Sequence, residues 1–170
     1  MKRLLFIFLY FLNFENSLAD NKIAYIDVNY ILNNSIVGKL ITTHIDKIKK
    51  NKNNELLLIK KKLTDKEKDI IKKKNIVDKS ELQKEINILN EEINKYKKQK
   101  VIFKKEIDDQ KLKYSKIVLN AINPIISKYV EENSITIVFS KQNIIIAKNN
   151  LDITNQIMDL LNIQLTKIDF

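Results

Sequence analysis

The chain contains no cysteine, one glycine, one proline and one histidine among its 170 residues. Without cysteine it can form no disulfide and offers no thiol nucleophile. A single glycine, Gly38, cannot build a phosphate-cradling loop, and a single histidine, His44, cannot supply the three or four ligands of a metal site. The adjacent carboxylates Asp108 and Asp109 point in different directions on a helix. These absences predict a protein that is not an enzyme and uses no metal or other cofactor.

Lysine accounts for almost all of the positive charge, because Arg3 is the only arginine and the formal net charge is +10. The excess lies mainly between Lys39 and Lys79, which indicates a basic limb joined to a nearly neutral body. A basic rod is one signature of nucleic-acid binding. Neither arginine forks nor aromatic stacking platforms accompany these lysines, however, so nucleic acid is the weaker interpretation.

The first 19 residues have the pattern of an export signal. Lys2 and Arg3 precede the apolar run 4–12, and Ser17-Leu18-Ala19 places small residues where a signal peptidase reads them. The apolar run is much shorter than the roughly 20 residues that a membrane-spanning helix requires. We therefore expect a signal peptide at 1–19, cleavage after Ala19 and, in a bacterium, a periplasmic protein.

A repeat of seven dominates the middle of the chain and predicts two helices packed along a seam. The first helix carries a weaker repeat, with Lys66 and Lys73 at positions where an apolar partner is expected. A capping box at Ser80 is typical of the start of the second helix. The two helices predict an antiparallel hairpin arm over 39–132, with its tip near 75–80 and a kink at Pro124. The seam of the second helix comprises Leu82, Ile86, Leu89, Ile93, Tyr96, Lys100, Phe103, Ile107, Gln110, Tyr114, Ile117 and Ala121.

The segments on either side of the arm, 20–38 and 133–170, predict a small β-rich body. A strand is expected over 22–28, a β-hairpin from 135–139 and 144–147, and a final helix capped by Asp152 or Thr154. Such short strands leave open edges and a poor core, so the body should be completed by other copies of the chain. The expected residues of this oligomer body are Ile23, Tyr25, Ile26, Ile135, Ile137, Phe139, Ile144 and Ile146.

Two sets of arm residues are candidates for binding a partner. The first set consists of apolar residues that lie off the seam: Leu57, Leu58, Ile71, Ile88, Val101, Ile102 and Leu112. They face a cavity, contact neighbouring arms, or are scattered surface apolar groups of the ordinary kind. The second set consists of lysines: Lys60, Lys61, Lys62, Lys72, Lys73 and Lys74. These lysines either attract acidic partners or an anionic membrane surface, or they form a solvated face without a binding role.

The order of these parts resembles the Skp/OmpH family of periplasmic chaperones. The most specific segments are the first strand, KIAYIDVNYIL, and the segment 133–162, which includes SITIVFSKQNIIIA and LDITNQIMDLLN. The resemblance implies a predominantly helical α+β fold, with a coiled-coil arm projecting from a small β body. It also implies a jellyfish-like homotrimer around a β-barrel, whereas the residues themselves indicate only more than one copy.

The function that the resemblance implies is that of an ATP-independent holdase. Such a chaperone encloses unfolded outer-membrane proteins in the periplasm and prevents their aggregation before membrane insertion. Its expected partners are those clients and other copies of the chain, with an anionic membrane surface or lipopolysaccharide as further candidates. A structural coiled coil of the cell envelope shares the seam but does not need a body, and it remains the alternative.

Overall fold

The computed structural model describes residues 22–170. The predicted signal peptide and its cleavage site lie outside this range. The described chain is mostly helical, with two long helices and one small pair of strands, which confirms the predicted helical α+β class. Its elements are β1 (Lys22–Ile26), α1 (Val28–Asn34), α2 (Ile36–Lys73), α3 (Lys79–Glu132), β2 (Ile135–Ser140), 3-10 turns at Lys141–Asn143 and Asn149–Leu151, and α4 (Thr154–Gln164).

The long helices α2 and α3 form an antiparallel hairpin. They contain 38 and 54 residues, which corresponds to about 57 Å and about 81 Å of helix. The Ser35 side chain caps α2 by accepting a hydrogen bond from the Gly38 amide. The predicted start of α3 at Ser80 is wrong. The helix begins at Lys79 because Asp78 is the cap and its side chain accepts from the Ser80 amide at 2.8 Å.

The seam follows the predicted residues from the tip down to Tyr114 and then changes phase. Leu89, Ile107 and Tyr114 are buried, but Ile117 is 36 % exposed. Beyond Tyr114 the buried residues of α3 are Val118, Ile122 and Ile125. A straight helix drifts relative to a strict repeat of seven, and at this end α3 packs against α4 as well as α2. The helix continues through Pro124 to Glu132.

The core lies where the roots of α2 and α3 meet the short helices. Its most deeply buried side chains come from four different helices and are 0–1 % exposed: Ile31, Val37, Val118, Ile122, Ile157 and Leu161. The body is therefore held together mainly by helices, and its strands contribute one side of it. Along the distal arm, Leu56 and Leu89 are the buried residues in the described helices.

The two strands pair in parallel, because the whole helical hairpin connects them. Ile23 is opposite Ile137, and Tyr25 is opposite Phe139. On its other side β1 meets the segment before α4, where the Ile153 amide donates to the Tyr25 carbonyl at 3.0 Å. Within residues 22–170, β2 is paired on one side only.

The predicted β-hairpin of 135–139 with 144–147 is wrong. The strand over 135–140 exists, but its partner is β1, which the arm brings alongside it. After Ser140 the chain enters a 3-10 turn, and Lys141 forms ion pairs with Asp152 at 3.4 Å and Asp27 at 3.9 Å. These contacts direct the chain away from β2, and residues 144–147 form no strand.

Gly38 allows α1 to pack closely on the root of α2. A Cβ atom at this position would overlap the carbonyl oxygen of Leu32 and lie 2.8 Å from its carbonyl carbon. We predict that Gly38→Ala lowers the free energy of unfolding by about 1–3 kcal/mol, although alanine is the better helix former, because the backbone must shift. Urea unfolding at pH 7 measures the free energy of unfolding of the variant and of the wild-type protein. The adjacent exposed change Lys39→Ala serves as the control, and equal stability of both variants would contradict the close approach.

Asp152 joins α4 to the strands and should make stability depend on pH. Burial favours its neutral form, but hydrogen bonds from Thr154 and the charge of Lys141 outweigh burial and hold the pKa of Asp152 below its ordinary value. A lowered pKa stabilises the fold fully above about pH 4, and this contribution is lost as the pH falls through the folded-state pKa. We predict that the difference in unfolding free energy between wild type and Asp152→Asn narrows below about pH 4. Asp159→Asn is the control, and a difference that stays constant down to about pH 2 would contradict the assignment.

Candidate functional site

Two ion pairs bridge α2 and α3 in the distal arm and fix their register. The Lys66 ammonium lies 2.6 Å from a Glu92 carboxylate oxygen, and the Lys73 ammonium lies 2.9 Å from Glu85. Moving seven residues toward the tip on α2, from Lys66 to Lys73, therefore corresponds to moving seven residues toward the tip on α3, from Glu92 to Glu85. These lysines occupy the seam positions that lack an apolar residue, so ion pairs replace apolar packing there.

The carboxylates also act on the lysine pKa values. A hydrogen bond with Glu85, followed by the charge of that residue, raises the pKa of Lys73. The pKa of Lys52 is raised by its hydrogen bond with Glu55 and by the charge of Glu55, with a smaller contribution from Glu106. Lys52 therefore has carboxylates from both helices beside it. These lysines remain charged throughout the physiological range.

All seven off-seam apolar residues are exposed on the arm. Their exposed fractions range from 54 % for Ile88 to 69 % for Val101. Sequence analysis missed an eighth residue, Ile76, which is 83 % exposed in the turn between the helices. An apolar residue within a polar turn is the signal that could have identified it.

These apolar residues do not form one stripe. Ile71 lines a groove with Glu67 and Asn90, whereas Ile88 lines a groove with Lys66 and Glu85. The volumes of the two grooves are about 380 Å³ and about 260 Å³. Both grooves reach the seam residues Ile70 and Leu89, but their other lining residues are different. The grooves therefore lie on opposite sides of the hairpin.

The helical repeat assigns most of the other off-seam residues to the same two sides. Successive residues turn by about 100° around a helix axis, so Leu57 and Leu58 diverge to opposite sides of the seam. The same holds for Val101 and Ile102 on α3. One side therefore presents Leu57, Ile71 and Val101, the other presents Leu58, Ile88 and Ile102, and Leu112 lies near the back of α3.

The six candidate lysines are all exposed but are also distributed around α2. Lys73 pairs with Glu85, and Lys72 lies 3.7 Å from Asp69. Lys62 lines a groove on the Lys66 side, whereas Lys74 lines the groove on the Ile71 side. The structure thus divides the sequence cluster Lys60, Lys61, Lys62, Lys72, Lys73 and Lys74 between the two sides and the back of the helix.

The residues expected in the oligomer body fall into two groups. Tyr25 and Ile26 are buried within their own chain at 6 % and 4 % exposure. The members that are almost half exposed or more are Ile23, Ile137, Phe139 and Ile146, with Ile135 and Ile144 partly buried. Ile145, which was not among the expected residues, is fully exposed. The outer side of the strands and the segment 144–146 therefore form an apolar surface.

His44 packs among aromatic rings at the root of the arm. Its ring stacks on Phe170 with the centroids 4.0 Å apart, and it meets the edge of Tyr114 at 6.0 Å. Within residues 22–170, no group of three or more potential ligands is arranged to hold a metal ion. No helix in the same range is long and apolar enough to cross a membrane.

Comparison with known proteins identifies the family. The sequence matches the family described as "Outer membrane protein (OmpH-like)" over residues 22–161, from β1 into α4. Among curated proteins, none matches significantly. One similar solved structure is that of an OmpH-like protein from Caulobacter crescentus CB15, which has been proposed to be an outer membrane chaperone. The two chains superpose with a TM-score of 0.76 at 18 % identity, over 87 % of this chain and 88 % of the other, which shows a shared fold. Because the family match spans most of the chain, this protein belongs to the OmpH-like family, and that membership supports a chaperone role.

Proposed function

We propose that the protein is an ATP-independent holdase that encloses unfolded outer-membrane proteins and prevents their aggregation before membrane insertion. Membership in the OmpH-like family supports this proposal. The observation that carries it is the set of seven off-seam apolar side chains, each more than half exposed on helices about 57 Å and about 81 Å long. A structural coiled coil that served only as a rod would not require these apolar side chains to be exposed to water.

The apolar contacts suit reversible capture. Complete burial of one leucine or isoleucine side chain contributes about 1.5–3 kcal/mol, and a contact against an exposed helix surface buries only part of it. Many such contacts hold an unfolded chain, while each one breaks easily. A holdase that releases its client without ATP requires binding energy that is divided among many weak contacts.

We further propose a domain division into a body over 20–38 and 133–170 and an arm over 39–132, with three copies assembled through the body. The half-exposed residues Ile23, Ile137 and Phe139, the unpaired side of β2 and the exposed segment 144–146 support association between copies. Association would cover apolar surface and close a strand edge, both of which favour aggregation when left open.

The charge and the N-terminal pattern support the proposed location and further partners. An exported protein with a cleaved signal peptide meets unfolded outer-membrane proteins in the periplasm. The exposed lysines of the arm attract acidic polypeptides over a distance that salt limits to about 8–10 Å. The same lysines provide a means of contact with an anionic membrane surface or with lipopolysaccharide.

The proposal predicts that the mature protein keeps a client soluble. A urea-unfolded outer-membrane β-barrel protein, diluted into buffer without ATP, should remain soluble with one trimer per client and precipitate without it. Light scattering measures both the precipitation and the molar mass of the complex. A monomer that leaves the client to precipitate would contradict the assignment and favour the structural coiled coil.

The proposal also requires arms that open, and this predicts uneven hydrogen exchange. Amides within 60–95 should exchange at least about tenfold faster than those within 107–125, because the buried side chains concentrate at the root. Gln110→Leu removes a buried carboxamide oxygen that has no hydrogen-bond partner, and it should slow exchange in the neighbouring arm. The exposed change Asp109→Asn is the control. Uniform exchange along the hairpin would contradict arm flexibility.

A further inference from the structure

The two sides of the arm differ in charge as well as in their apolar residues. We define the lysine flank as the side of the seam that presents Leu57, Ile71 and Val101, and the balanced flank as the side that presents Leu58, Ile88 and Ile102. The grooves around Ile71 and Ile88 lie one on each flank. The flanks are therefore distinct surfaces separated by the seam.

The lysine flank carries an excess of cations. On this flank of α2 and α3, the lysines are accompanied by three carboxylates: Asp46, Glu67 and Asp108. Of the lysines, Lys49 pairs with Asp46 at 3.5 Å. The others include Lys60, Lys74, Lys97, Lys104 and Lys111, and these form no ion pair with any residue in 22–170.

The balanced flank carries acids in numbers similar to its lysines, and two lysines beside it are already paired across the seam. Lys66 and Lys73 bind Glu92 and Glu85 across the seam. Lys52, in the seam, turns toward Glu55 at 2.8 Å. An arriving anionic chain would have to replace these partners, so this flank produces little net attraction.

We propose that the lysine flank is the surface that contacts clients, and that the partner it fits is an unfolded polypeptide with apolar segments and net negative charge. This inference rests on the proposed holdase function and specifies which side of the arm performs it. Apolar exposure is nearly the same on both flanks, since Leu57 is 64 % and Leu58 62 % exposed. Charge therefore distinguishes the flanks, because complementary charge raises the rate of encounter before apolar contacts form.

Adjacent residues on opposite flanks provide a matched test. The double variants Leu57→Ser/Val101→Ser and Leu58→Ser/Ile102→Ser each remove two exposed apolar side chains at one level of the arm, and neither touches the seam. The mature protein is titrated against a labelled, urea-unfolded outer-membrane β-barrel protein of acidic net charge. We expect the first variant to raise Kd about tenfold and the second less than about twofold.

A second pair of variants tests the role of charge at another matched level. Lys60→Gln/Lys97→Gln neutralises two cations of the lysine flank, and Lys62→Gln/Lys95→Gln neutralises two on the balanced flank. Only the first should weaken binding at low salt and flatten its dependence on salt concentration. Circular dichroism and light scattering confirm the fold and assembly of each variant.

The outcomes separate this inference from the proposed function. If the wild-type protein binds the client and the two members of each pair behave alike, or the balanced-flank variants lose more affinity, the assignment of the lysine flank is overturned while the holdase function stands. If the wild-type protein does not bind the client, the holdase function itself fails. Selective loss from the lysine-flank variants supports both.

Discussion

The packing of α2 against α3 along one narrow seam governs the rest of the structure. Two helices can bury only one stripe of each other, so every other side chain on the distal arm faces water. Leu56 and Leu89 are the buried residues of the distal seam, and ion pairs at Lys66 and Lys73 fill places where apolar residues are missing. The hairpin is held firmly only at its root, where α1 and α4 complete a core. An arm with a fixed base and a weakly joined outer part follows from this distribution.

The same hairpin also determines how the strands pair. Because the arm leaves the body after α1 and returns before β2, it places β1 beside β2 in parallel. Lys141, paired with Asp27 and Asp152, then directs the following chain away from β2. The consequence is a strand with one unpaired side and an apolar segment beyond it. The proposed association between copies would cover both features.

The proposed function of the arm depends on where its exposed apolar side chains and its unpaired charges lie. Ion pairs across the seam engage Lys66 and Lys73 on one flank, where acids also accompany the other lysines, while the cations of the other flank have few acids near them. Under the proposed function, a client that is apolar and acidic would meet both attractions on one flank only. The family membership supports a chaperone role, and the two flanks give that role a direction on the arm.

Elements with a local cause could be predicted from the order of residues alone. The repeat of seven gave both long helices and their antiparallel arrangement, and the off-seam residues such as Leu57 and Val101 are exposed because the repeat leaves them outside the seam. The strand pairing and the shift of the seam to Val118 were settled by tertiary contacts. These features depend on which segments meet across more than 100 residues of chain and on how the two helices are rotated about their axes, and a local pattern specifies neither.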